Sequence, residues 1–224
     1  MAKNRLKAVI FDLDGVITDS ARYHYLAWKE LADELAIPFD EAYNEKLKGV
    51  SRMESLELIL RNGDATERYT TEEKEAMAEK KNDNYKELIC QITPADILPG
   101  ILDFLKELKA HGIKIALASV SKNAPFIIGQ LELNEYFDYI ADAAKVPNAK
   151  PFPDIFLAGQ QEFGVRPEEC VGVEDARTGV EAIHRAGMKA VGVGTPSEME
   201  EADLLLTTEG LKLDTILKAF DMEC

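Results

Sequence analysis

The sequence predicts an α/β fold in which a doubly wound parallel sheet is interrupted, just after its first strand, by an inserted α-helical cap domain. The predicted first strand, residues 7–12, has consecutive rather than alternating apolar residues, as in a strand whose two faces are both covered by helices. Strand-like and helix-like segments then alternate from residue 101 onward. Between these regions, residues 20–94 are charged and helical in pattern, which predicts the insertion.

Two capping patterns divide the inserted segment into helices. A hydroxyl residue followed three positions later by Glu, which is the signature of a capping box, occurs at Ser51 and again at Thr70. These patterns predict one helix that runs to residue 60 and a longer one that runs towards residue 92. We therefore predict two domains: a core of residues 1–18 and 95–224, and a helical cap of residues 19–94.

The second half of the chain is predicted as alternating strands and helices. Strands are predicted over 113–119, 139–141, 170–174, 189–193 and 204–206, and helices over 101–110, 123–131, 153–163, 178–186 and a short C-terminal segment. Repeated β-α-β units of this kind form a parallel sheet, and ligands bind at the edge formed by the carboxyl ends of its strands. We expect the helical cap to cover that edge.

Composition and charge narrow the function classes. Of 224 residues, 46% are hydrophobic, which is enough for a substantial core. The chain has 26 basic and 41 acidic residues, and its net charge of −15 disfavours binding to nucleic acid or to an anionic membrane. Three cysteines without a CxxC pair indicate reduced thiols. The first apolar stretch is too short for a signal sequence or a membrane span, so we expect a cytoplasmic protein.

Polar and charged residues follow several of the predicted strands. Burying two acids at one strand tip would cost several kcal/mol for each unpaired charge, so Asp12 and Asp14 are expected to meet a cation, a substrate or both. Because the carboxyl ends of parallel strands share one edge, we expect the other residues at strand ends to lie close to this pair. The predicted cluster has six members: Asp12, Asp14, Ser119, Lys150, Glu174 and Asp175.

The chemistry of this cluster suits phosphoryl transfer. Carboxylate ligands without His or Cys favour Mg²⁺, and Ser119 with Lys150 could hold the oxygens of a phosphoryl group. An aspartate is a competent nucleophile towards phosphorus, and a second carboxyl group two residues on could move the proton. An Asx turn before Gly15 is the structural alternative for Asp14.

The motifs Asp12-Leu13-Asp14-Gly15-Val16, Ser119, Lys150-Pro151 and Glu174-Asp175 resemble, in order, the four motifs of the haloacid dehalogenase superfamily. The resemblance spans essentially the whole chain and implies a Rossmann-like core. It implies that Asp12 is the nucleophile, that Asp14 is the general acid and base, and that Ser119 and Lys150 orient the phosphoryl group. It also implies a cis Lys150-Pro151 bond. Mg²⁺ would bind the side chains of Asp12, Glu174 and Asp175 and the backbone carbonyl of Asp14.

Further segments resemble the substrate-binding segments of the sugar-phosphate mutases in that superfamily. The implied reaction interconverts β-glucose 1-phosphate and glucose 6-phosphate through a bound β-glucose 1,6-bisphosphate. The chain departs from the expected pattern at Ala176, where we expect a serine, and at Val120, where we expect a smaller residue. The resemblance implies these substrate-binding residues: Ser20, His24, Trp28, Lys48, Gly49, Val50, Ser51, Arg52, Lys81, Val120, Ser121, Lys122 and Asn123.

Elementary electrostatics also favours the binding of a phosphate group by Arg52. This residue lies in the first turn of a capped helix, where free N–H groups and the helix dipole favour an anion, and a guanidinium suits a phosphate that is held rather than transferred. The segment 121–123 lies at the N-terminus of another predicted helix and could hold the same phosphate. Structural roles compete elsewhere: Ser51 as a helix cap, Trp28 as a core residue, and His24 as an ordinary polar or packing residue.

A mutase needs two phosphate sites, because the bisphosphate must present each end in turn, whereas a phosphatase needs one. We predict a monomeric, Mg²⁺-dependent phosphomutase whose partners are small sugar phosphates. The alternative is a Mg²⁺-dependent sugar-phosphate phosphatase on the same scaffold. From another class, a catalytically silent binding module is disfavoured, because every charged group that the chemistry needs is present.

Overall fold

The computed structural model describes residues 4–47, 50–195 and 199–224. The chain divides into two compact units, which are the described residues of Met1–Asp19 with Thr93–Cys224 and the described residues of Ser20–Ile92. We call them the core unit and the cap unit. Among the described residues, no helix is long and apolar enough to cross a membrane.

The core unit is built on a six-stranded sheet in which every neighbouring pair is parallel, which confirms the predicted fold class. Its strand order is 4-3-2-5-6-7. A separate two-stranded sheet joins the first and last strands near the chain ends. In chain order the strands are β1 (Asn4–Arg5), β2 (Ala8–Phe11), β3 (Lys114–Leu117), β4 (Tyr139–Ile140), β5 (Cys170–Glu174), β6 (Lys189–Val193), β7 (Leu204–Leu206) and β8 (Met222–Glu223).

Three helices of the alternating half, at residues 101–110, 154–163 and 177–185, pack against this sheet, and the helices within residues 20–92 form the cap unit. Short 3-10 turns connect several of the elements. The α-helices are α1 (Ala21–Glu34), α2 (Glu41–Asn44), α3 (Arg52–Asn62), α4 (Thr71–Ile89), α5 (Ile101–Ala110), α6 (Ala124–Gln130), α7 (Asp154–Phe163), α8 (Arg177–Arg185) and α9 (Leu213–Phe220).

Strand β2 is the central strand that positions the candidate site. All four of its residues are buried, as expected for a strand covered on both faces. In the register of the sheet, Phe11 lies beside Leu117 of β3 and beside Val173 of β5. The residues that follow these three therefore lie side by side at the carboxyl edge of the sheet.

Glu169 ties the beginnings of β2 and β5 together. Its carboxylate accepts hydrogen bonds from the backbone N–H of Arg166, at 2.9 Å, and from the side chain of the same residue. It also forms an ion pair with Lys7 at 2.9 Å, while its backbone carbonyl accepts from the Lys7 N–H. The Arg166 N–H, followed by the Lys7 ammonium, lowers the pKa of Glu169 from 4.5 to about 2.

Replacing Glu169 with Gln is expected to lower the free energy of unfolding at pH 7 by about 1.5–3 kcal/mol, the usual net value of hydrogen bonds to a charged group. Because the pKa of this carboxyl is lower in the folded state, its stabilising effect is present above pH 4.5 and is lost as the pH falls towards 2. Urea unfolding of both proteins should therefore show the difference narrowing below pH 4.5. A difference that is constant down to the lowest pH would contradict this interpretation.

The cap unit has its own apolar core between α1, α3 and α4. Both predicted capping boxes are confirmed. Ser51 Oγ accepts from the Glu54 N–H while Glu54 Oε2 accepts from the Ser51 N–H, and Thr70 and Glu73 form the equivalent pair. The cap core contains these buried residues: Trp28, Leu31, Ala32, Ile37, Phe39, Leu47, Leu56, Ile59, Leu60, Ala65 and Ala78.

Several element boundaries differ from the sequence-based prediction by one to three residues. The predicted strand over 7–12 is shorter at both ends, since β2 ends at Phe11 and leaves Asp12 in the loop. The helix predicted to end at residue 60 continues to Asn62, and the one predicted to run towards 92 ends at Ile89. The small sheet of β1 and β8 was not predicted, because two-residue strands have too few positions to show a periodic pattern.

Candidate active site

The core unit brings buried polar side chains together at the carboxyl ends of its central strands. Asp12 directly follows β2, and Glu174 is the last residue of β5. Ser119 lies two residues beyond the end of β3. These three side chains are all buried, as is Lys150, which approaches from the loop before α7. The peptide bond between Lys150 and Pro151 is cis.

Lys150 bridges the two buried carboxylates. Its Nζ lies 2.6 Å from Asp12 Oδ1 and 2.7 Å from Glu174 Oε2. Burial alone would lower the pKa of Lys150, but the charges of Asp12 and Glu174 outweigh burial and raise it above its ordinary value. The lysine is therefore a permanent positive charge between two acids and holds Asp12 in one orientation.

Negative charge nevertheless exceeds positive charge here. Asp12, Glu174 and the partly exposed Asp175 each have a carboxylate oxygen within 4.8 Å of the others. Burial, followed by the charge of Asp12, raises the pKa of Glu174 to about 7, although Lys150 and the Ala176 N–H oppose this shift. A further positive charge nearby would stabilise the ionised form of so deeply buried a carboxylate.

A divalent cation fits this donor set. Three carboxylates without a His or Cys ligand favour Mg²⁺ over softer metals, and the raised pKa of Glu174 marks the charge that a cation would compensate. Three of the four predicted metal ligands, Asp12, Glu174 and Asp175, thus lie together. The fourth predicted ligand, Asp14, lies in the turn that follows Asp12. In this turn the N–H of Gly15 donates to the Thr18 carbonyl.

The loop after β3 arranges its hydroxyl groups in sequence. Ser119 Oγ accepts from the Ser121 N–H at 3.2 Å, and Ser121 Oγ accepts from the Asn123 N–H at 3.3 Å. Ser119 is buried, whereas Val120 and Ser121 are partly exposed and Lys122 is exposed. The following helix, α6, begins at Ala124, one residue later than predicted. The structure therefore separates the buried hydroxyl of Ser119 from the more exposed residues after it.

In the cap unit, the buried Lys81 and the partly exposed His24 form a polar pair on an aromatic surface. Lys81 Nζ lies 2.8 Å from His24 Nδ1, and it lies over the rings of Trp28 and Tyr85, 4.6 and 4.8 Å from their centroids. The His24 ring stacks on Tyr85 with 4.0 Å between centroids. Trp28 is buried in the cap core, so the predicted packing role describes its position.

The environment of His24 determines its protonation. Burial, followed by the charges of Lys81 and Arg52, lowers the pKa of His24 well below 6.5. The imidazole is therefore neutral at pH 7. Because the Lys81 ammonium is a donor only, Nδ1 accepts its hydrogen bond and the ring proton is on Nε2.

Arg52 starts α3, and its guanidinium contacts α4. It donates to Glu79 Oε2 at 3.1 Å and to Asn82 Oδ1 at 2.8 Å. Ser51 is the cap residue of α3, Val50 is partly exposed, and Ser20 is buried just before α1. The predicted substrate residues Lys48 and Gly49 lie outside the described residues.

The predicted site residues thus fall into groups within each unit. Asp12, Lys150, Glu174 and Asp175 meet in the core unit, with Ser119 on the neighbouring strand end. In the cap unit, His24 and Lys81 are paired. The charge of Arg52 also lowers the pKa of His24, but the Arg52 guanidinium donates its hydrogen bonds to side chains of α4. The contact between Arg52 and Glu79 was not predicted, because it depends on how α3 packs against α4 and no local pattern encodes that.

Comparison with known proteins identifies the family. The family model described as haloacid dehalogenase-like hydrolase matches residues 6–187, which include all four motifs. The chain belongs to this family. The predicted resemblance to the haloacid dehalogenase superfamily is therefore confirmed.

Relatives within the family are similar over nearly the full length. The beta-phosphoglucomutase of Bacillus subtilis is 50% identical over 212 residues, which cover 94% of each chain. A crystal structure of beta-phosphoglucomutase from Clostridium difficile matches with a TM-score of 0.94 and 47% identity, covering 96% of this chain and 97% of that one. The fructose-1-phosphate phosphatase YqaB of Escherichia coli is 31% identical, covering 84% of this chain and 97% of its own.

Proposed function

We propose that this protein is a Mg²⁺-dependent phosphomutase that interconverts β-D-glucose 1-phosphate and D-glucose 6-phosphate through β-D-glucose 1,6-bisphosphate. The observation that carries the proposal is the buried Asp12 carboxylate, held by Lys150 beside the acid pair, in a chain that is 50% identical to a beta-phosphoglucomutase. The proposed enzyme is a cytoplasmic monomer, and its three free cysteines agree with a reducing compartment.

The core residues divide the proposed chemistry between them. Asp12 attacks phosphorus with the carboxylate oxygen that Lys150 does not hold, an O–P bond forms at Asp12, and the O–P bond to the sugar breaks. Asp14 donates a proton to the leaving sugar oxygen and, in the second half-reaction, takes one from the attacking hydroxyl group. Lys150 and the hydroxyl of Ser119 hold the phosphoryl oxygens. Mg²⁺ on Asp12, Asp14, Glu174 and Asp175 would supply the charge that stabilises the transferred group.

Holding the phosphate that does not react is what separates transfer from hydrolysis in this proposal. Arg52 lies at the N-terminus of the 11-residue helix α3, where backbone N–H groups and the helix dipole favour an anion. In the proposal, Ser121, Lys122 and Asn123, in the loop after β3, add donors and one positive charge. His24, neutral and paired with Lys81, and the segment that includes Ser20, Lys48, Gly49 and Val50 complete the proposed substrate residues.

Hydrolysis by the same core residues is the second candidate function. It is favoured by the 31% identity to a fructose-1-phosphate phosphatase and by the 29% identity to a phosphorylated carbohydrates phosphatase of Thermotoga maritima. Both activities would use Asp12 as nucleophile. They differ in whether sugar or water accepts the phosphoryl group.

A product-balance assay distinguishes the two functions. β-Glucose 1-phosphate and, separately, α-glucose 1-phosphate are supplied with Mg²⁺ and a trace of β-glucose 1,6-bisphosphate, and glucose 6-phosphate and free phosphate are measured in the same samples. The proposal expects glucose 6-phosphate from the β anomer, almost none from the α anomer, and little free phosphate. Prompt release of phosphate from several sugar phosphates would instead establish the phosphatase.

Arg52→Ala is expected to raise the KM for β-glucose 1-phosphate by about 10- to 100-fold. A change of this size corresponds to the loss of one or two charge-assisted hydrogen bonds. Turnover at saturating substrate should change less, because Arg52 is proposed to hold phosphate rather than to react. Arg61→Ala, in the last turn of the same helix, is the matched control and should leave KM unchanged. Equal KM values for the two variants would remove Arg52 from the proposed site.

A further inference from the structure

Gly179 occupies a helical position that an alanine would normally fill better. It is the third residue of α8, a helix that follows Glu174 and Asp175 directly. Glycine in a helix destabilises it relative to alanine, because glycine loses more backbone freedom on folding. Since Gly179 has helical backbone, no unusual dihedral angle explains the glycine.

The space beside Gly179 is taken by the side chain of Glu174. A Cβ atom built at Gly179 would lie 2.0 Å from Glu174 Cδ, 2.1 Å from Oε2 and 2.4 Å from Cγ. These distances are far inside van der Waals contact, so an alanine and the present Glu174 position exclude one another.

Glu174 has little freedom to move away. Oε2 accepts from Lys150 Nζ at 2.7 Å, and Oε1 accepts from the Ala176 N–H at 3.2 Å. The residue is 1% exposed. A methyl group at position 179 would therefore displace the carboxylate from Lys150 and from the other acids.

A second glycine stands in the same relation to the neighbouring acid. A Cβ atom at Gly15 would lie 2.2 Å from Asp175 Oδ2, and Gly15 has a φ of +73°. One glycine from the loop after β2 and one from α8 thus border the two consecutive acids that end β5.

We propose that Gly179 is a positioning residue that keeps the Glu174 carboxylate in the divalent-cation site, and that Gly15 does the same for Asp175. The inference rests on the proposed Mg²⁺ site, but it holds for a mutase and for a phosphatase alike. Gly179 is the better position for a test, because the positive φ of Gly15 would add backbone strain to any substitution.

The test is Mg²⁺ binding to metal-free protein, measured by titration calorimetry with MgCl₂ alone. Gly179→Ala should raise the Mg²⁺ dissociation constant by about 10- to 100-fold, the usual range for groups that orient metal ligands. Gly159→Ala is the matched control. It is also a helical glycine, and its Cβ would lie 2.9 Å from the Ala116 Cβ and away from the acids, so it should lower thermal stability without changing Mg²⁺ affinity.

A rescue experiment separates positioning from general damage. In a Glu174→Asp background the side chain is one methylene shorter, so adding Gly179→Ala should change Mg²⁺ affinity by about twofold at most, and folding should be retained. Unchanged affinity in Gly179→Ala alone, or the same loss in both backgrounds, would overturn the positioning role. Absence of Mg²⁺ binding in the unaltered protein would overturn the metal site and this inference together.

Discussion

Asp12→Asn is expected to lower kcat for glucose 6-phosphate formation by about 10⁴-fold or more, as loss of a covalent nucleophile does. An amide keeps the shape of the carboxylate and can still accept a hydrogen bond from Lys150, but it does not attack phosphorus. The substitution also removes one of the charges that raise the pKa of Glu174. The folded state should therefore be kept, and the loss should fall on catalysis.

The measurement is the steady-state rate with β-glucose 1-phosphate and a trace of bisphosphate, alongside a thermal melt. Asp103→Asn, an exposed acid in the first turn of α5, is the matched control and should retain full activity. A folded Asp12→Asn protein with more than a tenth of the original kcat would rule out Asp12 as the phosphorylated residue.

Lys150→Met is expected to lower the free energy of unfolding by about 3–5 kcal/mol in metal-free protein, the usual cost of removing one partner from a buried ion pair. The lysine contacts Asp12 and Glu174 at 2.6 and 2.7 Å, and all three side chains are buried. Without it, two carboxylates would be left in a low-dielectric environment with no adjacent cation. Saturating Mg²⁺ should restore part of the loss, because a cation bound only to the folded state stabilises that state.

Urea unfolding with and without Mg²⁺ measures this effect. Lys145→Met is the control, since that side chain lies five residues earlier, is 84% exposed, and pairs only with the exposed Asp142 among the ion pairs of the described residues. Its substitution should change stability by about 0.5 kcal/mol or less. A Lys150→Met protein as stable as the unaltered chain would mean that the bridge does not stabilise the fold.

The sequence predicts the fold best at strands whose two faces are both buried. The strands β5 and β6 begin and end at the predicted residues, because local signals mark their limits: β5 is bounded by acidic residues, and β6 lies between Gly187 and Gly194. Several helix ends differ from the prediction by one to three residues, since the last turn of a helix has weak sequence signals. The pairing of β1 with β8 joins the two ends of the chain and has no local signal at all.

The candidate site likewise has features that the sequence predicts and features that only the structure shows. That Asp12 and Glu174 would meet follows from the predicted parallel sheet, since parallel strands share one carboxyl edge. That one lysine would contact both acids depends on the path of a loop, and the sequence indicates only that Lys150 is nearby. The clearance that Gly179 provides is invisible without coordinates, because an isolated helical glycine has many explanations.

The most direct test of the central claim follows the phosphoryl group itself. The protein is phosphorylated with radiolabelled β-glucose 1,6-bisphosphate, mixed rapidly with unlabelled glucose 6-phosphate, and quenched on the millisecond timescale. The account predicts label on Asp12 first and then on newly formed sugar bisphosphate, with little in free phosphate. Label that passes mainly into free phosphate, or that never resides on Asp12, would contradict it.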